Sequence, residues 1–134
     1  IAGLAAMVTA LELAIDHLGV QYVKLERIKH YMVEQLTKLQ KVRINTPSKD
    51  SPGILSISIS GISGRELVAA LSMHGFAVST GSACHANEME PSRIILAMGR
   101  SREEAVGSIR ISIGRFTTLE ASKEMIGHLM EYIR

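Results

Sequence analysis

The heptapeptide ILSISIS, residues 54–60, alternates aliphatic side chains with serine, and SIRISIG, residues 108–114, repeats the alternation. A two-residue period puts Ile57 and Ile59 on one face of a strand and the serines on the other, as in a sheet with one apolar face. Such a sheet must be covered by helices. Its neighbours in the chain supply them. VRIN (42–45) reads as a short strand, joined to ILSISIS through the turn-rich TPSKDSPG. GRELVAALSMHG (64–75) places Leu67, Val68 and Leu71 on one helical face and closes on Gly75, and FAVS (76–79) reads as a further strand.

Pro91 sits where a helix begins, with Ile94, Ile95 and Met98 before a stop at Gly99. Ser101 followed by Glu103 and Glu104 marks another helix start, because acidic side chains suit the positive end of the dipole. TLEASKEMIGHLMEYIR is an amphipathic final helix with Met125, Leu129 and Ile133 along one stripe. From Leu11 the apolar positions fall at Ile15, Leu18, Tyr22, Leu25, Met32, Leu36 and Leu39, with Lys29 in the one gap. That pattern gives one long helix, or two joined at Gly19, with Lys24, Arg27, Glu34 and Lys38 solvated. The predicted fold class is α+β in two layers, about four strands covered by helices.

The chain has 134 residues, 46% apolar and 21% charged, a composition ordinary for one globular domain. Its 15 basic and 13 acidic residues are interspersed and leave a net charge of +2, so no basic stripe points to nucleic acid. A single cysteine forms no internal disulfide, which makes the reducing cytoplasm the expected compartment. The opening IAGLAAMVTALELAI is apolar over fifteen positions but contains Thr9 and Glu12 and runs into Asp16 and His17. It reads as too short and too polar to span a bilayer, and it lacks the basic leader of a signal peptide, so no membrane partner is expected. Starting on Ile in mid-pattern, the chain reads as cut from a longer protein.

VSTGSACHANEMEP (78–91) holds the one cysteine, Cys84. Gly81, Ser82 and Ala83 before it and His85, Ala86 and Asn87 after it offer no apolar surface. Cys84 therefore reads as exposed on a loosely held loop rather than as a buried small hydrophobe. His85 is a poor base for it, since adjacent side chains in extended chain point apart. Cys84, His85 and Glu88 match no zinc spacing and a second cysteine is missing, so no metal is expected. His17, His30, His74 and His128 all lie in helical stretches where a structural histidine is the ordinary case. Arg110, among isoleucines in SIRIS, either sits on the solvated face or serves a two-point acceptor.

STGSAC (79–84), EPS (90–92), ILAMG (95–99), a short acidic helix and SIRISIGRFTT (108–118), in this order, resemble the C-terminal part of the cysteine desulfurases. GISGRELVAAL resembles the helix before the cysteine strand in that family, and IAGLAAMVTALELA the end of its large domain. The resemblance implies the small domain of a fold-type I, pyridoxal phosphate-dependent enzyme of the class V aminotransferase type. In that family a large domain holds the cofactor through a lysine and the small domain carries the active-site cysteine. L-cysteine is the substrate, alanine is released, and sulfur stays on the cysteine as a persulfide. It then passes to a sulfur-acceptor protein for iron–sulfur assembly or a related pathway.

By motif, Cys84 would be the nucleophile and Arg110 the clamp on the substrate carboxylate. Residues 1–18 would close the large domain as a connecting helix, 19–134 would form the small domain, and the full-length enzyme would be a homodimer. The lysines at 24, 29, 38, 41, 49 and 123 all lack the setting that resembles the family's cofactor lysine. No cofactor-binding residue is therefore assigned, and the chain alone is expected to be inactive. Two other readings stay open: a selenocysteine lyase or other class V aminotransferase, and a non-catalytic sulfur-relay or interaction domain.

Overall fold

The computed structural model describes residues 1–47, 51–80 and 91–133. At its centre β2 (Ile54–Ile59) pairs antiparallel with β1 (Val42–Ile44) on one side and β3 (Ser108–Ser112) on the other, giving the order β1-β2-β3. Ile57 lies opposite Ile44 and Ile109. Directly opposed residues share a face, so Val42, Leu55, Ile57, Ile59, Ile109 and Ile111 form one continuous apolar layer.

Three helices cover that layer. α1 (Ala2–Leu36) contributes Ile28, Met32 and Leu36, α2 (Gly64–Met73) contributes Leu67 and Leu71, and α5 (Leu119–Ile133) contributes Met125, Ile126, Leu129 and Ile133. Burying each such side chain is worth ~1.5–3 kcal/mol, so this face carries most of the stability. The serine face is covered at one end by α3 (Arg93–Ala97) and α4 (Arg102–Val106), whose Ile95 and Ala105 are buried. A capping box holds the short α4: the Ser101 amide donates to Glu104 Oε2 at 2.9 Å and the Glu104 amide to Ser101 Oγ at 3.1 Å. The Ser101 N–H, foremost, keeps the Glu104 carboxyl below its usual range. The box is thus present at neutral pH and weakens as acid protonates Glu104.

The α+β class, the two isoleucine–serine strands and the buried faces of α2 and α5 stand as predicted. Other expectations change. FAVS is not a strand among the described residues, because α2 ends in a cap that consumes its first amide. Gly75, at φ 83°, turns the chain so that the Phe76 N–H donates to Leu71 O at 3.0 Å. One bridge, between Ser79 and Arg110, remains of it, and the sheet has three strands.

α1 is one helix running straight through Gly19, and Ile28 rather than Lys29 completes its buried stripe. Lys24 is half-buried, its ammonium donating to Arg115 O at 2.6 Å. Residues 2–20 are all exposed, including Leu4, Leu11, Ile15 and Leu18. The helix is also long and apolar enough, by length and composition, to cross a bilayer, which corrects the reading of its first fifteen residues as too short and too polar. A core helix passes the same test. The count failed because it stopped at Asp16, whereas the helix continues.

Gly107 is the tightest approach in the fold. A Cβ there would meet Ile59 O at 2.0 Å and Ile62 O at 2.7 Å, both backbone atoms that cannot give way. Gly107→Ala is therefore expected to destabilise by ~3 kcal/mol. Gly19 has nothing within 4 Å of its Cβ position, and Gly19→Ala should stabilise the helix by ~0.5–1 kcal/mol. Denaturant unfolding of the two variants checks both, and equal effects would contradict this packing.

Candidate functional site

The register that buries the isoleucines also builds a polar row on the opposite face. Arg110 lies opposite Ser56, and Asn45 extends the β1 ladder by donating its backbone N–H to Ser56 O at 2.8 Å. On the free edge of β3, the Ser79 N–H donates to Arg110 O at 3.1 Å and the Arg110 N–H to Ser79 O at 2.7 Å. Asn45, Ser56, Arg110 and Ser79 thus occupy neighbouring positions across the sheet.

A cleft of about 370 Å³ opens over this row, walled by Pro47, Ile54, Ile94 and Met98. The Arg110 side chain is exposed and makes no hydrogen bond or ion pair with the described residues. Asn45, by contrast, is 6% exposed; its Nδ2 donates to the fully buried Ser58 Oγ at 2.8 Å, and its Oδ1 finds no partner among the described residues. Ser108, beside Ser58, donates its hydroxyl to Ala105 O at 2.9 Å. The buried hydroxyls are therefore satisfied within the fold and the guanidinium is left over. An unpaired guanidinium beside apolar walls suits a planar carboxylate, held through two parallel N–H···O bonds.

Ser79, bonded to the Arg110 backbone, shortly precedes the 81–90 stretch in the sequence, and Ser92, which lines the cleft, shortly follows it. Cys84 itself, with His85 and Glu88 and the loosely held loop expected there, lies outside the described residues.

The other reactive groups are elsewhere. Lys29 donates to Ser51 O at 3.0 Å, Lys41 to Ile133 O at 3.2 Å, Lys38 pairs with Glu34 at 3.3 Å, and Lys123 stands 6.0 Å over the Tyr31 ring. With Lys24, that makes five described lysines, none of them lining the Arg110 cleft; Lys49 lies outside the described residues. His17 contacts Leu13 O at 2.8 Å, His30 faces a larger cleft of about 720 Å³ along α1, and His74 stacks on His128. That larger cleft does not include Arg110, but Thr46 and Pro47 line both. Among the described residues no group of three acidic, histidine or cysteine side chains is placed to hold a metal. Sequence reasoning found Arg110 but missed Asn45 and Ser56, because only the pairing register brings them into its row.

Comparison with known proteins gives the following. The family model "Aminotransferase class-V" matches residues 1–124. "Cysteine desulfurase IscS" of Dictyoglomus turgidum is 34% identical over 122 residues, covering 90% of this chain and 31% of that protein. "Cysteine desulfurase IscS 1" of Archaeoglobus fulgidus is 33% identical over 119 residues, covering 88% and 30%. A solved structure described as a NifS-like protein superposes with a TM-score of 0.79 at 30% identity, covering 93% of this chain and 31% of its own. The chain therefore spans about a third of the length of the relatives it matches.

Two substitutions separate the structural from the available polar groups. Asn45→Ala strands the buried Ser58 hydroxyl and should cost ~1–3 kcal/mol. Arg110→Ala removes an exposed side chain and should cost under ~0.5 kcal/mol. Unfolding midpoints measure both, and a large loss for Arg110→Ala would reveal a structural partner.

Proposed function

The chain belongs to the class-V aminotransferase family, and from that premise we propose that it is the substrate-carboxylate and sulfur-accepting part of a cysteine desulfurase. One observation carries the reading: the exposed guanidinium of Arg110, without a partner among the described residues, stands in a cleft that Ser92 also lines, and its backbone is bonded to Ser79, shortly before the Cys84 stretch. Similarity to proteins named cysteine desulfurase supports the choice of L-cysteine as substrate.

In this reading Arg110 grips the carboxylate of L-cysteine, fixing the substrate by two points so that its side chain is presented towards Cys84. The Cys84 thiolate attacks the substrate sulfur. A bond between the two sulfurs forms as the carbon–sulfur bond breaks, the electron pair of the latter staying with carbon, which leaves as alanine after protonation. The persulfide is then handed to a sulfur-acceptor protein, for iron–sulfur assembly or a related pathway.

Pyridoxal phosphate, which such an enzyme uses, does not fit the described residues. The five described lysines are committed to carbonyls, to Glu34 or to the Tyr31 ring, away from the cleft. We assign the cofactor to a larger domain of a longer polypeptide, with residues 1–18 as its last, connecting helix and 19–134 as the small domain. The exposed apolar row Leu4, Leu11, Ile15 and Leu18 supports this, since it is a surface in want of a partner. The whole enzyme would be a cytoplasmic homodimer, and this chain alone would not turn over cysteine.

The test uses the polypeptide that includes the larger domain. Arg110→Lys keeps the charge but loses the fork, and should lower kcat/KM for L-cysteine roughly 10- to 150-fold with an unchanged melting temperature. Cys84→Ala should abolish persulfide labelling and alanine release together. Unchanged turnover in Arg110→Lys, or persulfide on the Cys84→Ala protein, would defeat the assignment.

A further inference from the structure

His74 caps α2 and His128 lies on α5, and their rings stack with centroids 3.9 Å apart and planes 15° from parallel. Phe76 tilts against His128 with centroids 6.1 Å apart. The pair lies outside the Arg110 cleft, yet it sits at the start of the segment that reaches it. From Phe76 the chain runs three residues to Ser79, whose two hydrogen bonds to Arg110 are the edge contact of β3.

We propose that the His74–His128 stack is a positioning contact for Arg110, seating residues 76–79 against β3 while at most one of the two rings is charged and loosening them when both are. Two neutral rings, or one neutral and one charged, attract at this separation, whereas two imidazolium ions repel. Each proton the pair takes up adds a positive charge to it, so acidification works against the contact.

Among the described residues, the surroundings do not neutralise both rings. On α5, Glu131 Oε2 lies 3.9 Å from His128 Nδ1, with Glu124 one turn before and Tyr132 one turn after, while Lys123 is held over Tyr31 of α1. On α2 the charged residues are Arg65 and Glu66, both in its first turn, and the last turn before His74 has none. Residues 76–79 carry no charge, and Arg110 of β3 points to the opposite face of the sheet. Glu131 offsets one imidazolium; no acid on α2 or on 76–79 reaches the other.

The functional consequence rests on reading Arg110 as the carboxylate binder, and the experiment separates the two claims. Amide hydrogen exchange on this chain, corrected for intrinsic rates, is measured at Ser79 and Arg110 relative to Ile57 in wild type, His74→Gln and His128→Gln. Between pH about 7.5 and about 5.5 the wild-type protection at these two amides should fall on the order of tenfold, and in each variant by less than about twofold. A flat wild-type profile, or an equal fall in either variant, overturns the proposal. Binding of L-alanine to wild type and Arg110→Gln is followed in parallel. Equal binding there defeats the carboxylate role while the exchange data still decide the positioning contact.

Discussion

The pairing of β2 with β3 in the register that sets Ile57 against Ile109 decides what every other residue of the sheet can do. Side chains alternate strictly, so a slip of one position would carry Arg110 into the isoleucine layer and Ile109 out of it. An unpaired guanidinium there would cost several kcal/mol, on the order of the whole stability of a small domain. Core and cleft are therefore two faces of one constraint. The apolar layer fixes the register, and the register delivers Arg110 to the serine face at no cost in buried charge.

Serine is the residue that makes that second face usable. Ser58 and Ser108 are small enough to lie beneath α3 and α4 and find partners in Asn45 and the Ala105 carbonyl. Ser56, farther along the strand, leaves room above it. A larger side chain at Ser56 would fill the space beside Arg110, and an apolar one at Ser58 would strand the Asn45 amide. The cover stops where it does because α3 and α4 are five residues each, α4 held by its capping box and the turn between them by the Arg100 guanidinium on Ile44 O at 3.2 Å. Among the described residues, neither α3 nor α4 covers the end of the sheet that carries Arg110.

Much of this was legible in the chain, and the failures have physical causes. Period-two alternation, the Leu67 and Leu71 face, the Gly75 stop and the Met125, Leu129 and Ile133 stripe depend on neighbours within a few residues, which a sequence displays directly. FAVS misled because a β-prone composition says nothing of whether an edge is available, and the α2 cap takes its first amide. The row Asn45, Ser56 and Arg110 was invisible for another reason. It joins positions 45, 56 and 110 through two strand registers, and long-range pairing is what a local pattern does not encode. The stacking of His74 on His128 is of the same kind. Cys84 was singled out by its polar neighbours and its motif, and no geometry entered that choice.

The distribution of cations argues in the same direction as the cleft. Lysine offers a compact charge on a flexible stem, and the described lysines are spent on carbonyl oxygens, on Glu34 or on an aromatic face. Arg110 is on a strand, its backbone fixed on both sides by Ser56 and Ser79, so its planar fork starts from a rigid base. Left in water it costs nothing. In the proposed function, a carboxylate bound between Ile54, Ile94 and Met98 would have solvent excluded by the apolar walls, and its two hydrogen bonds to the guanidinium would strengthen as the local dielectric falls. On the proposed reading, a sheet that leaves its arginine without a partner among the described residues and walls it with aliphatic side chains holds affinity in reserve for an anion.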